Sequence, residues 1–93
     1  MEIEQRLGYY PDGSVMYERW GYKIREYAIG NFTMTPHRLD GPAMIDYNKK
    51  GEVCKWEWYI SNIRIDKDII RKYFADPINP TDEELLIFKL CEL

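Results

Sequence analysis

Two spacings divide the chain. From Ile3 to Ile65 apolar and polar positions succeed one another in short strand-like runs broken by turn residues, and from Asp66 onward they recur at helical spacing. The first run, Glu2 to Tyr10, ends at Pro11-Asp12-Gly13, where Pro fixes φ, Asp bonds back to the main chain and Gly accepts a positive φ. A hairpin results, with Val15 to Tyr22 as its second strand. By the two-residue period of a strand, Met16, Glu18, Trp20 and Tyr22 share one face, and Val15, Tyr17, Arg19 and Gly21 the other. Neither face is purely polar, so the pattern predicts a twisted sheet contacted on both sides.

A second hairpin is predicted from Ala43–Asn48, a turn at Lys49-Lys50-Gly51, and a strand from Glu52 to Ile60. Offset by 38 residues it repeats the first: Tyr9 matches Tyr47, Gly13 matches Gly51, Val15 matches Val53, Trp20 matches Trp58, and Tyr22 falls on Ile60. Such self-similarity marks stacked units that cannot bury an apolar face alone. A cap is then required, and the remaining third supplies helical patterns. Ile69, Ile70, Tyr73 and Phe74 form one stripe behind Asp66 as N-cap, Pro77 and Pro80 interrupt, and Thr81 with Glu84 forms a capping box for a second helix. Ile87 and Phe88 widen its apolar face, which predicts tight packing on the sheet. The expected fold is α+β: a single domain over 1–93, with an antiparallel meander of two repeated hairpins (2–65) and two C-terminal helices as a cap (66–93).

Composition sharpens this. The 93 residues include 8 Tyr, 3 Trp and 3 Phe, an excess of amphipathic rings suited to a thin, half-wet β core. Trp56 and Trp58, in the row of Cys54 and Ile60, are expected in the core; Lys55, Glu57 and Tyr59 are expected on a solvated face. The net charge of −3 leaves no basic footprint for nucleic acid. Its acidity lies in the tail, where Asp76, Asp82, Glu83, Glu84 and Glu92 face Lys89 alone. No apolar run is long enough to span a bilayer and no secretory pattern opens the chain, so no membrane partner and a cytoplasmic location are expected. Cys54 and Cys91 read as buried or half-buried thiols.

The segments Tyr9-Tyr10-Pro11-Asp12-Gly13-Ser14-Val15, His37-Arg38-Leu39-Asp40-Gly41-Pro42-Ala43, Tyr47 with Gly51 and Val53, and Trp58-Tyr59-Ile60 resemble the MORN-variant repeats of small bacterial and bacteriophage proteins. The match covers residues 7 to 66. It implies successive β-hairpins in an elongated sheet, and some relatives are described as antitoxin-like components. Ser61-Asn62-Ile63 stands where that family has Asn-Gly-Lys, Tyr22-Lys23-Ile24 lacks the Gly turn, and Glu26 to Pro36 is an irregular insertion.

No nucleotide loop, zinc-hydrolase pair or nucleophile elbow occurs, so no cofactor, metal site or catalytic residue is expected. His37, the sole histidine, could act as an acid or base oriented by Asp40 beside the anion clamp Arg38. The expected role of this trio is to tie its loop to the next strand. The candidate binding surface comprises Tyr17, Trp20, Tyr22, His37, Arg38, Asp40, Tyr59 and Arg64, since Tyr, Trp and Arg dominate binding hot spots. Three readings are open: a non-enzymatic, phage- or mobile-element-encoded protein that binds and inhibits a host protein; a homo-oligomer that sequesters a small nucleotide-like anion; and an antitoxin-like component.

Overall fold

The computed structural model describes residues 3–23 and 34–93. Strands β1 (Ile3–Tyr9), β2 (Val15–Lys23), β3 (Met34–Pro36), β4 (Met44–Tyr47) and β5 (Val53–Glu57) form one antiparallel sheet in the order β1-β2-β4-β5, with β3 beside β2. A separate hairpin of β6 (Tyr59–Ile60) and β7 (Ile63–Arg64) leads to helices α1 (Lys67–Tyr73) and α2 (Asp82–Glu92). The α+β class and the hairpin meander expected from the pattern are present. Of the insertion expected from Glu26 to Pro36, only β3 lies within the described residues; Glu2 and Ile24 lie outside them.

The duplication holds at the level of register. Arg6 faces Arg19, Leu7 faces Glu18, Gly8 faces Tyr17 and Tyr9 faces Val15, with a shift between Gly8 and Tyr9. Each partnership recurs 38 positions on, as Met44 with Glu57, Ile45 with Trp56, Asp46 with Lys55 and Tyr47 with Val53, with a shift between Asp46 and Tyr47. Both turns close alike: Tyr10 N–H donates to Ser14 O and Gly13 N–H to Tyr10 O, and Asn48 N–H to Glu52 O and Gly51 N–H to Asn48 O. Gly13 and Gly51 take φ of 89° and 81°, the left-handed region that glycine enters without a steric cost.

The repeat extends one strand beyond the hairpin. Gly21 faces Pro36 and Trp20 O accepts from His37 N–H; the residues 38 positions after Gly21 and Trp20 do the same with partners 28 positions on, Tyr59 facing Arg64 and Trp58 O accepting from Ile65 N–H. Each unit is therefore three-stranded. The expected strand Glu52 to Ile60 breaks at Trp58 into β5 and β6. Ser61 and Asn62 turn the second unit in two residues at φ of 48° and 68°, which suits the twist of a tight hairpin.

The core gathers around Trp58, which is fully buried with Ile70, Phe74, Leu85 and Phe88. Phe74 stacks on the indole at 4.8 Å and Phe88 meets it edge-on at 5.7 Å. Burying a ring of this size contributes roughly 1.5–3 kcal/mol or more. The caps are those expected: Asp66 accepts from Asp68 N–H, and Thr81 and Glu84 form a reciprocal capping box. Two expectations need correction. Leu86, Ile87 and Leu90 are exposed, because only the Leu85 and Phe88 stripe of α2 meets the Trp58 cluster. Cys54 and Cys91 are exposed as well, Cys54 because β5 ends the sheet and Cys91 because it lies off the α2 stripe. Among the described residues no helix is long and apolar enough to cross a membrane.

Candidate functional site

Residues 37 to 42 connect β3 to β4, and their polar groups are spent on the chain itself. His37 is 5% exposed; its ring stacks on Tyr22 at 4.7 Å, and its Nδ1 accepts the Ser61 N–H at 2.7 Å. The neutral ring then carries its proton on Nε2. This bond, with Asn62 N–H to Pro36 O and Arg38 N–H to Tyr59 O, joins the first unit to the turn of the second. Arg38 donates from Nε to Asp40 Oδ1 at 2.9 Å and from Nη1 to Pro42 O at 3.2 Å, and its guanidinium lies 4.1 Å over the Trp20 ring. Gly41 lacks a Cβ where the Arg38 guanidinium packs, 2.8 Å from the place a Cβ would occupy. The trio fastens a loop, as expected from the sequence. Trp20 Nε1 is buried, with no hydrogen-bond partner among the described residues.

On the opposite face Arg19 reaches Asp46 at 2.8 Å and lies 4.7 Å over the Tyr17 ring. Tyr17 covers Gly8, where a Cβ would overlap its ring. Glu57, whose side chain is 12% exposed, accepts from Tyr59 OH at 3.0 Å and faces Arg64 at 3.7 Å. Glu57 and Tyr59 thus leave the solvated face expected of them, because each supplies the other's polar partner. Burial, reinforced by Glu57, raises the Tyr59 hydroxyl above its ordinary pKa. Burial likewise pushes Tyr47 up to about 12, aided by its 2.7 Å bond to Glu18.

A cavity of about 270 Å³ opens between β2, β3 and β4, lined by Arg19, Trp20, Met34, Pro36, Ala43 and Met44. Cross-strand partners share a face, and Arg19 faces Met44 while Gly21 faces Pro36. Met44 and Pro36 thus lie on the Arg19 face of the sheet, and the space beside Gly21 is closely filled by Met34 and the Thr35 carbonyl.

The eight sequence candidates divide accordingly. Trp20, Tyr22, His37, Arg38 and Asp40 meet on the first face. Tyr17 stands apart on the second, while Tyr59 and Arg64 gather on Glu57. The cavity residues Met34, Pro36 and Met44 were not among the candidates, and the strand pattern does not single them out. Among the described residues no group of three or more His, Cys, Asp or Glu side chains could hold a metal ion. No protein-family model matches the sequence, and no curated protein or solved structure is significantly similar to it. The resemblance to MORN-variant repeats is thus carried by its motif residues alone.

Proposed function

We propose that this protein is a small non-enzymatic binding module that takes an apolar side chain of a partner protein into the cavity between β2, β3 and β4. The observation that carries this reading is the cavity itself, whose rim of Met34, Met44 and Pro36 is apolar and adaptable. At about 270 Å³ it falls below the usual range of small-molecule pockets, and it suits one inserted side chain. The same inventory disfavours capture of a nucleotide-like anion. Arg19 is held by Asp46, Arg38 by Asp40, and Arg64 faces Glu57, so each candidate clamp would have to surrender an internal partner. Acid or base chemistry at His37 is disfavoured likewise, since its Nδ1 lone pair is used by Ser61.

The test is affinity capture from lysate of the source cells with the wild type and with Met44→Glu, which puts a carboxylate at the cavity wall. A partner retained by the wild type and lost by a variant of unchanged thermal midpoint is expected. Retention of the same partner by Met44→Glu, or capture of none by the folded wild type, overturns the reading.

A further inference from the structure

We propose that β1 is the contact strand of a two-fold symmetric homodimer, in which two copies pair their β1 strands antiparallel about Gln5 and continue the sheet across both chains. The two ends of the repeat array are finished differently. Beyond the second unit, the helices close over Trp58. At the other end β1 is terminal among the described residues, seven residues long, with Ile3 43% and Leu7 40% exposed. A long edge strand with exposed apolar side chains is a template for another strand.

The backbone gives the direction of the open groups. Trp20 donates its N–H to Ala43 O and accepts at its C=O from His37, so the even positions of β2 face β3 and β4, and its odd positions face β1. Tyr17, Arg19 and Gly21 are opposite Gly8, Arg6 and Glu4. Those three β1 residues therefore turn their backbone groups inward, and Ile3, Gln5 and Leu7 turn theirs outward, away from β2.

Pairing about Gln5 makes this edge complementary to itself. Ile3 falls opposite the partner's Leu7, Gln5 opposite the partner's Gln5, and Glu4 opposite the partner's Arg6. Apolar meets apolar on one face and opposite charges meet on the other, which favours this register. A register shifted by two residues sets Gln5 against the partner's Leu7 and Arg6 against the partner's Arg6, losing both matches and opposing like charges. The two-fold axis closes the assembly at two copies, so the edge is covered without starting a fibre.

Light scattering on the full chain over a dilution series should show a dimer that dissociates to monomer, the weak association expected of a small contact. Leu7→Pro removes an outward N–H without touching the β1–β2 ladder, and should be monomeric at every concentration while keeping the wild-type midpoint of thermal unfolding under dilute conditions. The register is tested independently by Gln5→Cys in a Cys54→Ser, Cys91→Ser background, where a short bismaleimide should give a covalent dimer linked at position 5. A wild type monomeric at its highest soluble concentration overturns the proposal. So does a folded Leu7→Pro that stays dimeric, a Gln5→Cys chain that dimerises without cross-linking, or a mass that grows past two copies, the mark of head-to-tail pairing of β1 on β5.

Discussion

Trp20 and Trp58 occupy the same register position in the two units, yet they live differently. Trp58 is wholly buried; Phe74 and Phe88 cover its ring, and its indole N–H donates to Pro77 O at 3.2 Å. Trp20 is half-buried, with the Arg38 guanidinium over its ring and no partner for its indole N–H among the described residues. Hairpin geometry is common to both, so the difference comes from the segment behind each unit: two helices behind the second, and a short loop behind the first. A repeat fixes where a side chain stands, and the neighbouring segment decides what it is worth.

The largest test of this contrast is truncation at each site. Trp58→Ala should cost about 3–5 kcal/mol, most of the stability of a small domain. Trp20→Ala should cost roughly 1–2 kcal/mol, since it loses a partly exposed ring and a cation–π contact. Urea denaturation of both variants measures this, and equal losses would break the comparison.

An intermediate effect is expected at the equivalent pair Gly21 and Tyr59. A Cβ on Gly21 would overlap the carbonyl oxygen of Thr35, a backbone atom that cannot move aside alone. Gly21→Ala should therefore cost about 1–3 kcal/mol by overpacking. Tyr59→Ala, on a part-buried ring beside a two-residue turn, should cost about 1 kcal/mol. Thermal unfolding should rank them in that order; the reverse order would mean that β3 does not press on β2.

The smallest effects distinguish cap from sheet by pH. The Glu84 carboxyl is held below its usual pKa, chiefly by the Thr81 N–H and then by the Ala75 N–H. Its stabilisation is therefore complete above the ordinary carboxylate range and is lost as pH falls through the depressed folded value. Glu84→Gln, which keeps the capping-box geometry, should flatten the acid limb of the stability profile. Tyr47 has the opposite sign. Its hydroxyl rises from 10.0 to about 12, so its contribution is present below pH 10 and lost as pH climbs towards 12. Tyr47→Phe should make the alkaline limb less steep, with Tyr59 and Tyr73 keeping the rest of it, and leave the acid limb alone. A chemical-denaturation series across pH separates the two.

Much of the architecture was legible because it is local. Pro11-Asp12-Gly13, the Gly51 turn and the Thr81 and Glu84 box each declare themselves within a few residues of chain, and the 38-residue echo is the recurrence of such local signals. The third strand of each unit was not legible. In the second it is two residues long and turned by Ser61-Asn62, without a glycine; in the first it comes after the insertion and holds only Met34 to Pro36. The loop-tying role of His37, Arg38 and Asp40 could be anticipated from their position before Gly41-Pro42. That His37 accepts from Ser61, 24 residues away, could not.

The sequence by itself determined the hairpins, their duplication, the helix starts and the two alternating faces of β2, since each arises from periodicity and turn chemistry. Tertiary structure decided the rest. It buried Trp58 and left Trp20 half-covered, exposed both cysteines, separated the eight candidate residues onto two faces and opened the cavity between β2, β3 and β4. Those outcomes depend on which strands and helices come to lie against one another, and burial is a property of the assembled pair rather than of either segment.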